Sequence, residues 1–383
     1  MGKCFSKSKD ADEGPLSLRH FDLLRSVGRG AFGKALYAMK YINKEKCINQ
    51  KAVKNTIFER NLLVDLEHPL IVNLRYSFQD DENMFMVLDL MLGGDLKYHL
   101  QQTGAFPEDA VRLYAAEMVC SVDYLHTQGV VHRDIKPDNL LLDEKGHVHL
   151  TDFNSHIWVR MIFDYSSLAP EVILRHGYRD EVDWWSMGVV LFELLFGKRP
   201  FRGKNAKEVA SRICKGPLQF PASREVSEEC YDFIAKLLKK DSTERLGCGP
   251  KGVDNIKAHP FLKGIDWSLV PEKQLRPVFA PDPERPNFNA MFEAEDILME
   301  DKPLKKNRKT MLVKEPTTDD ERYIQEDFKV FDFKLREDVA NREELVRESM
   351  ALEKAQENGP SRLSMLPVAS TMQDQELDDS KES

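Results

Sequence analysis

Carboxylate, ammonium and amide side chains lie close together in one part of this sequence. Residues 132–139 read His-Arg-Asp-Ile-Lys-Pro-Asp-Asn, which places Asp134, Lys136 and Asn139 near one another, and Asp152 follows two short apolar segments later. A carboxylate can orient an attacking hydroxyl group, an ammonium group can neutralise a moving phosphoryl group, and carboxylate and amide oxygens bind Mg²⁺. A buried histidine beside a surface Arg-Asp pair would explain the first three residues alone. The spacing of the whole set favours catalysis.

Three glycines and a lysine precede this stretch. Gly28, Gly30 and Gly33 follow a short apolar segment, residues 21–27, that we expect to form a strand. Their spacing lets backbone N–H groups approach phosphates, although the same spacing also opens dinucleotide-binding folds and ordinary turns. Lys40 ends the next segment, Tyr-Ala-Met-Lys, which we expect to be a further strand.

The segment that follows has the apolar spacing of a helix. Glu59 lies within it, nine residues before His68. Taken alone, Glu59 is either a solvated surface carboxylate or one member of an ion pair. The residues that this spacing assigns to the core are Val53, Ile57, Phe58, Leu62 and Leu66.

Together these motifs resemble the eukaryotic protein kinases, and the lysine at position 136 resembles the serine/threonine type. The resemblance implies that Asp134 is the catalytic base and that Lys136 neutralises charge on the γ-phosphoryl group of ATP. It implies that Asn139 and Asp152 hold Mg²⁺. It also implies that Lys40, paired with Glu59, holds the α- and β-phosphates under the glycine-rich loop.

The resemblance extends to the adenine site and to the larger part of the domain. The apolar run at residues 84–90 resembles a buried strand leading into a hinge, whose backbone at Asp89 and Leu90 would contact adenine. Glu171, in Ala-Pro-Glu, is expected to pair with Arg245 as a buried ion pair. A further residue, Asp183, opens a helix that is apolar on almost every face and therefore buried all round. That helix is too short for a membrane span, which needs roughly 20 residues.

Shorter motifs narrow the resemblance to the YANK branch of the AGC kinases, over roughly residues 18–335. Residues 281–304 resemble the AGC-type extension that returns to the small lobe. Residues 328–333, Phe-Lys-Val-Phe-Asp-Phe, resemble the hydrophobic motif of that group, with Asp332 supplying negative charge where relatives often carry a phosphate. The alternative for this segment is an ordinary amphipathic strand or helix edge. The motifs that carry the resemblance are residues 41–44, 76–80, 92–96, 147–149 and 152–154.

The implied architecture is α+β and bilobal, with a small antiparallel sheet above a larger, mainly helical lobe. We expect a flexible leader at residues 1–17 and a kinase domain at 18–262, divided near residue 91. An AGC-type extension at 263–335 and a polar, mostly disordered tail at 336–383 complete the chain.

Two departures from the family pattern open a second hypothesis. Gly33 and Lys40 are only seven positions apart, about 23 Å when fully extended, which is too short for a strand, a turn and a returning strand. Asp152 and Glu171 are nineteen positions apart, which is short for an activation segment. Both gaps resemble missing coding segments, and both favour a catalytically impaired pseudokinase or signalling scaffold as the alternative to an active enzyme.

Composition and the N-terminus bear on partners and location. The net charge of −9 argues against bulk nucleic-acid binding. Six cysteines form no Cys-x-x-Cys pair, so neither a zinc site nor a disulfide framework is indicated. Gly2 and Ser6 fit the myristoylation pattern, and Cys4 is a palmitoylation candidate, the alternative being an unmodified leader. We expect a cytoplasmic monomer, possible membrane association through the acylated N-terminus, and protein substrates. Asp95 and Asp138 either favour basic substrates or are simply solvated.

Overall fold

The structure, a computed structural model, describes residues 3–7, 15–23, 36–153, 167–222, 224–249, 251–285, 287–288 and 316–336. The predicted glycine-rich loop and most of the predicted activation segment, at residues 24–35 and 154–166, lie outside the described residues. The chain divides into two compact units, residues 1–333 and 334–383. All elements named below belong to the first unit.

An antiparallel sheet of six strands forms the small lobe. Its strands are β1 (Lys3–Lys7), β2 (Phe21–Leu23), β3 (Leu36–Asn43), β4 (Leu74–Gln79), β5 (Asn83–Asp89) and β8 (Phe331–Asp332). Their order in the sheet is β2-β1-β3-β5-β4-β8. The prediction of a flexible leader over residues 1–17 is therefore wrong for residues 3–7, which form a strand inside the sheet.

Side chains alternate across the sheet, as the period of two in a strand requires. Tyr37 and Met39 of β3 are buried on one face, where they pack in a cluster with Tyr76, Phe85 and Val87. Lys40 points to the opposite face, where its side chain meets Glu59 of the helix Val53–Asp65. The sheet therefore holds Lys40 on a strand whose other face is fixed by aromatic packing.

Two helices complete the small lobe. They are α1 (Lys44–Asn49) and α2 (Val53–Asp65). Val53, Ile57 and Leu63 of α2 are buried, whereas Phe58 is 52% exposed. The assignment of Phe58 to the core is wrong because consecutive helical residues point about 100° apart, and Ile57 takes the inward direction.

The large lobe is mainly helical and is built around α6. Its helices are α3 (Leu96–Thr103), α4 (Glu108–Thr127), α5 (Pro170–Ile173), α6 (Glu181–Phe196), α7 (Ala206–Lys215), α8 (Glu228–Leu237) and α9 (Gly252–Lys257). Residues 182–195 of α6 are all buried, as the apolar pattern predicts. Among the described helices, none combines the length and apolar character needed to cross a bilayer.

A two-stranded sheet lies beside the large lobe and carries the candidate catalytic residues at its ends. β6 (Leu140–Leu142) follows the loop of residues 132–139, and β7 (Val148–Leu150) precedes Asp152. Because the two strands are antiparallel, with Leu140 opposite Leu150, the start of β6 and the end of β7 are adjacent. The pairing therefore brings Asn139 and Asp152 to one edge.

The C-terminal part of the unit returns to the small lobe. Helix α10 (Asp319–Asp327) contacts α1 and α2, and β8 pairs with β4 at the edge of the six-stranded sheet. The predicted α+β fold, with a small antiparallel sheet and a larger helical lobe, is confirmed.

Candidate active site

The loop of residues 132–139, the predicted catalytic loop, is anchored to the start of α6 by Asp183. The backbone N–H groups of His132 and Arg133 donate to the Asp183 carboxylate at 2.8 and 2.7 Å, and His126 Nε2 lies 2.9 Å from the same group. Asp183 is fully buried, and a buried carboxylate is tolerated only where donors satisfy it. Arg133 adopts a φ of 67°, an uncommon conformation for a residue other than glycine. The anchor therefore holds a strained turn immediately before Asp134.

Two side chains converge on Asp134. Lys136 Nζ lies 3.0 Å from Asp134 Oδ2, and Asn139 Nδ2 donates to the same oxygen at 3.1 Å and to the Asp134 carbonyl at 2.8 Å. These donors fix the orientation of the Asp134 carboxylate. They also turn the amide oxygen of Asn139 away from Asp134.

Asp152 lies two residues after the end of β7, and the residues on either side of it are held by contacts with the loop of residues 132–139. The N–H of Thr151 donates to the Asn139 carbonyl at 3.1 Å, and the Thr151 carbonyl lies 3.0 Å from His132 Nε2. Phe153 packs edge-on against His132, with ring centroids 5.3 Å apart. The structure therefore ties Asp152, Asn139 and the catalytic loop into one unit, and Asp152 itself has a φ of 64°.

The side chains of Asn139 and Asp152 suit a Mg²⁺ site in which nucleotide phosphates would provide the other ligands. Within the described ranges, no cluster of three or more His, Cys, Asp or Glu residues could hold a metal by itself. Mg²⁺ commonly uses one or two protein oxygens and completes its shell with phosphate oxygens and water. The amide oxygen of Asn139 and the carboxylate of Asp152 are groups of this kind, and their binding of Mg²⁺ stays a prediction.

Lys40 and Glu59 form an ion pair between β3 and α2. Lys40 Nζ lies 2.7 Å from Glu59 Oε1, and the lysine side chain is 37% exposed whereas the glutamate side chain is 6% exposed. Glu59 is thus not the solvated surface carboxylate of the alternative interpretation. The half-exposed ammonium group remains accessible to a phosphate while a buried carboxylate holds it in place.

The predicted hinge residue Asp89 ends β5. Its carboxylate accepts from Arg75 at 2.6 and 3.1 Å and from Asn73 at 3.0 Å. Its backbone N–H donates to the Asn73 carbonyl at 3.1 Å. Leu90 follows directly after the strand. The sequence showed no signal for Arg75 or Asn73, which fix the end of β5, and adenine contact by Asp89 and Leu90 stays a prediction.

Glu171 and Arg245 form a bidentate pair in the large lobe. Arg245 Nη1 and Nη2 lie 2.6 and 3.0 Å from the two oxygens of Glu171. Arg245 also donates to the carbonyls of Glu181 and Lys239, and its guanidinium carbon lies 5.2 Å from the ring of Trp185. The pair connects α5 to the start of α6, close to Asp183.

Acidic groups also lie near the catalytic loop. Asp95 caps α3 by accepting from the N–H of Tyr98 at 2.7 Å, and burial raises the pKa of its carboxyl. Asp138 is exposed. Glu193, which sequence reasoning missed, pairs with Lys97 at 2.9 Å and with Arg199 at 3.4 Å. Glu193 is buried, so these two cations balance a buried carboxylate.

The C-terminal extension contacts both the linker between the lobes and the small lobe. Asn287 Nδ2 donates to the Leu92 carbonyl at 3.2 Å. Its own carbonyl lies so close to Gly94 that a Cβ there would collide with it, and Gly94 has a φ of 70°. Within the segment that resembles a hydrophobic motif, Phe328 is fully buried, and the ring of Phe333 packs on Tyr76.

The fold and this constellation define a protein kinase, and comparison with known proteins agrees. Residues 21–262 match the protein kinase domain. The chain belongs to that family. These residues are more than half of the chain, and they include every helix and strand named above except β1, α10 and β8.

Similar proteins place the chain among serine/threonine kinases of the AGC type. It is 38% identical to human serine/threonine-protein kinase 32C over 88% of this chain and 76% of that protein. It is 41% identical to human serine/threonine-protein kinase 32B over 76% of this chain and 75% of that protein. Human ribosomal protein S6 kinase alpha-3 is 38% identical over 72% of this chain and 40% of its own length. The predicted resemblance to the YANK branch is confirmed, and the chain is a serine/threonine-type kinase.

The alignment with kinase 32B includes positions that this chain lacks. The alignment with kinase 32B extends over 317 positions but includes 76% of the 383 residues of this chain, about 291 residues. About 26 aligned positions therefore have no residue in this chain.

Proposed function

We propose that this chain transfers the γ-phosphate of Mg-ATP to serine and threonine hydroxyl groups of protein substrates. The observation that carries the proposal is the Lys40–Glu59 pair at 2.7 Å, which forms although Lys40 follows Gly33 by only seven positions. In this family the lysine must be paired in this way before it can hold the nucleotide phosphates. The shortened segment has therefore not displaced the lysine from its partner.

In the proposed mechanism the protein contributes position and charge. Asp134 accepts the hydrogen bond of the substrate hydroxyl group and aims its oxygen at the γ-phosphorus. Lys136, already 3.0 Å from that carboxylate, neutralises charge on the transferred group. Lys40 binds the α- and β-phosphates. Asn139 and Asp152 would hold Mg²⁺, which would supply neutralisation of the phosphate charge when bound.

The finer assignments remain part of the same proposal. Gly28, Gly30 and Gly33 would cover the phosphates, and the backbone of Asp89 and Leu90 would contact adenine. An acyl chain on Gly2, immediately before β1, would bring the protein to a membrane surface from the cytoplasm, as part of signal transduction. A second acyl chain on Cys4 would extend from a residue within β1. We propose a monomer that acts on protein substrates and not on nucleic acid.

The test is transfer of radiolabelled γ-phosphate from Mg-ATP to a generic protein substrate, with Asp134→Asn as the matched control. Transfer that is lost in the variant would support the proposal. A folded chain without transfer would instead favour the pseudokinase alternative, which the named kinases among the relatives do not favour. Thermal denaturation with Mg-ATP separates the cases, because a ligand at 100 times its Kd stabilises by about 2.7 kcal/mol.

A further inference from the structure

The order of strands in the small lobe places the N-terminal strand in the interior of the sheet. β1 lies between β2 and β3 and is antiparallel to both. Phe5 is opposite Tyr37 on one side and Leu23 on the other. The five residues of β1 therefore link β2 and β3, which are separated in the sequence, into one sheet.

Because the connection between Gly33 and Lys40 is short, one edge of β3 is left available for pairing with another strand. The chain there is too short to form a strand that leads out, turns and pairs with β3. Without another partner, the backbone groups of β3 on that side would be an open edge, which proteins normally cover or block. β1 pairs with residues 36–39 of β3, immediately before Lys40.

We propose that the gap between β2 and β3 is a strand-binding site whose occupant is the segment Lys3–Lys7 of the same chain. This pairing holds the strand that carries Lys40. The consequence for nucleotide binding rests on the proposed function, whereas the strand pairing itself does not.

The geometry of the connection favours the chain's own segment over a second copy. Lys7 is opposite Phe21 in the register of β1 and β2, so the connecting residues 8–20 need only bring two neighbouring positions together. Closing a loop of this length costs little entropy, and the cost rises slowly with length. A segment from another molecule would pay the cost of association in addition.

Hydrogen exchange on the full-length chain tests the pairing directly. We expect the amides of residues 3–7 to exchange slowly, and Phe5→Pro to accelerate exchange there and at residues 36–39, because proline removes a donor and is not accommodated in an interior strand. Ala11→Pro, in the connection between β1 and β2, is the matched control and should leave both segments protected. Equal, rapid exchange of residues 3–7 in the unaltered chain and in Phe5→Pro would overturn the proposal.

A deletion provides a second test that does not depend on how Phe5→Pro folds. A chain without residues 1–9 should have a midpoint of thermal unfolding lower by roughly 2–8 °C. A synthetic peptide of residues 2–9 should restore it, and a peptide with proline at the position of Phe5 should not. Failure of the first peptide to bind or stabilise the deleted chain would contradict the proposal.

The remaining outcomes are also distinguishable. Light scattering that shows a dimer whose dissociation exposes residues 3–7 would assign the site to a second copy and refute the proposed occupant. The Michaelis constant for ATP should rise about 10-fold in Phe5→Pro and remain unchanged in Ala11→Pro. A chain with no phosphoryl transfer but with protected residues 3–7 would reject the proposed function and still support the strand-binding site.

Discussion

Replacing Arg245 by Met should destabilise the large lobe far more than the loss of a surface ion pair would. Arg245 is 2% exposed and Glu171 is 7% exposed, so the change leaves a buried carboxylate without its cation. Breaking a buried pair in this way costs about 3–5 kcal/mol. The two carbonyl groups that Arg245 satisfies, on Glu181 and Lys239, add about 1 kcal/mol each when they lose their donor.

The expected total is therefore about 5–7 kcal/mol, out of a domain stability of about 5–15 kcal/mol. At about 2–4 °C per kcal/mol for a domain of this size, the midpoint of thermal unfolding should fall by roughly 10 °C or more. Urea denaturation of the full chain measures the loss of free energy. Lys236→Met is the matched control, because Lys236 pairs with Asp232 on an exposed helix face and should change stability by less than about 1 kcal/mol.

A double-mutant cycle tests the reasoning itself. Glu171→Gln removes the charge that Arg245→Met leaves unpaired, so the double variant should be more stable than the sum of the two single losses predicts. The coupling free energy should be at least about 2 kcal/mol, as contacting buried groups give up to about 3 kcal/mol. Additive single effects, or a loss below about 1.5 kcal/mol in Arg245→Met, would show that the pair is not the compensated buried contact that its geometry indicates.

Three further predictions follow from other contacts. Glu59→Gln should lower kcat/KM for ATP about 100-fold while leaving the secondary structure unchanged by circular dichroism, because Lys40 loses its buried partner; an unchanged kcat/KM would remove the pair from the mechanism. Burial lowers the pKa of His68 to about 4, below the ordinary value of 6.5. The unfolded chain therefore binds a proton at this residue more readily than the folded chain does. The free energy of unfolding should fall by about 1–2 kcal/mol between pH 6.5 and pH 4. The extra slope should vanish in His68→Gln, and its persistence there would assign it to other groups. Arg60→Leu, which removes bonds of 3.0 Å to Ser77 and 2.8 Å to the Lys329 carbonyl, should accelerate hydrogen exchange in residues 319–333, and unchanged exchange would show that the extension is held elsewhere.

The sequence predicted the large lobe better than the small lobe because its signals there are local or strongly patterned. The loop around Asp134 is a contiguous motif. The helix after Asp183 is apolar on almost every face, so only a buried position suits it. The partner of Glu171 was predicted from the resemblance, since nothing in the residues around Arg245 alone indicates a buried cation. The acceptor role of Asp183 was not predicted, because it depends on a backbone turn at Arg133 that the sequence does not reveal.

In the small lobe, two features depend on packing and strand pairing that the sequence pattern does not reveal. Helical spacing assigned Phe58 to the core because the pattern allowed two neighbouring apolar stripes, and only packing against the sheet selects the one that includes Ile57. Residues 3–7 carry no apolar alternation strong enough to predict a strand. Their pairing depends on an open edge of β3, which is a property of the assembled sheet.

The two ends of the described chain support the same pair of residues from opposite sides of the small lobe. β1 pairs with the residues of β3 that precede Lys40, whereas Arg60, next to Glu59 in α2, bonds to the Lys329 carbonyl before β8. Gln79 of β4 also donates to the Phe328 carbonyl at 2.8 Å. The lysine strand and the glutamate helix are thus each fixed by a terminal segment. Because neither support involves the glycine-rich loop, the Lys40–Glu59 pair can form in a chain whose connection between Gly33 and Lys40 is short.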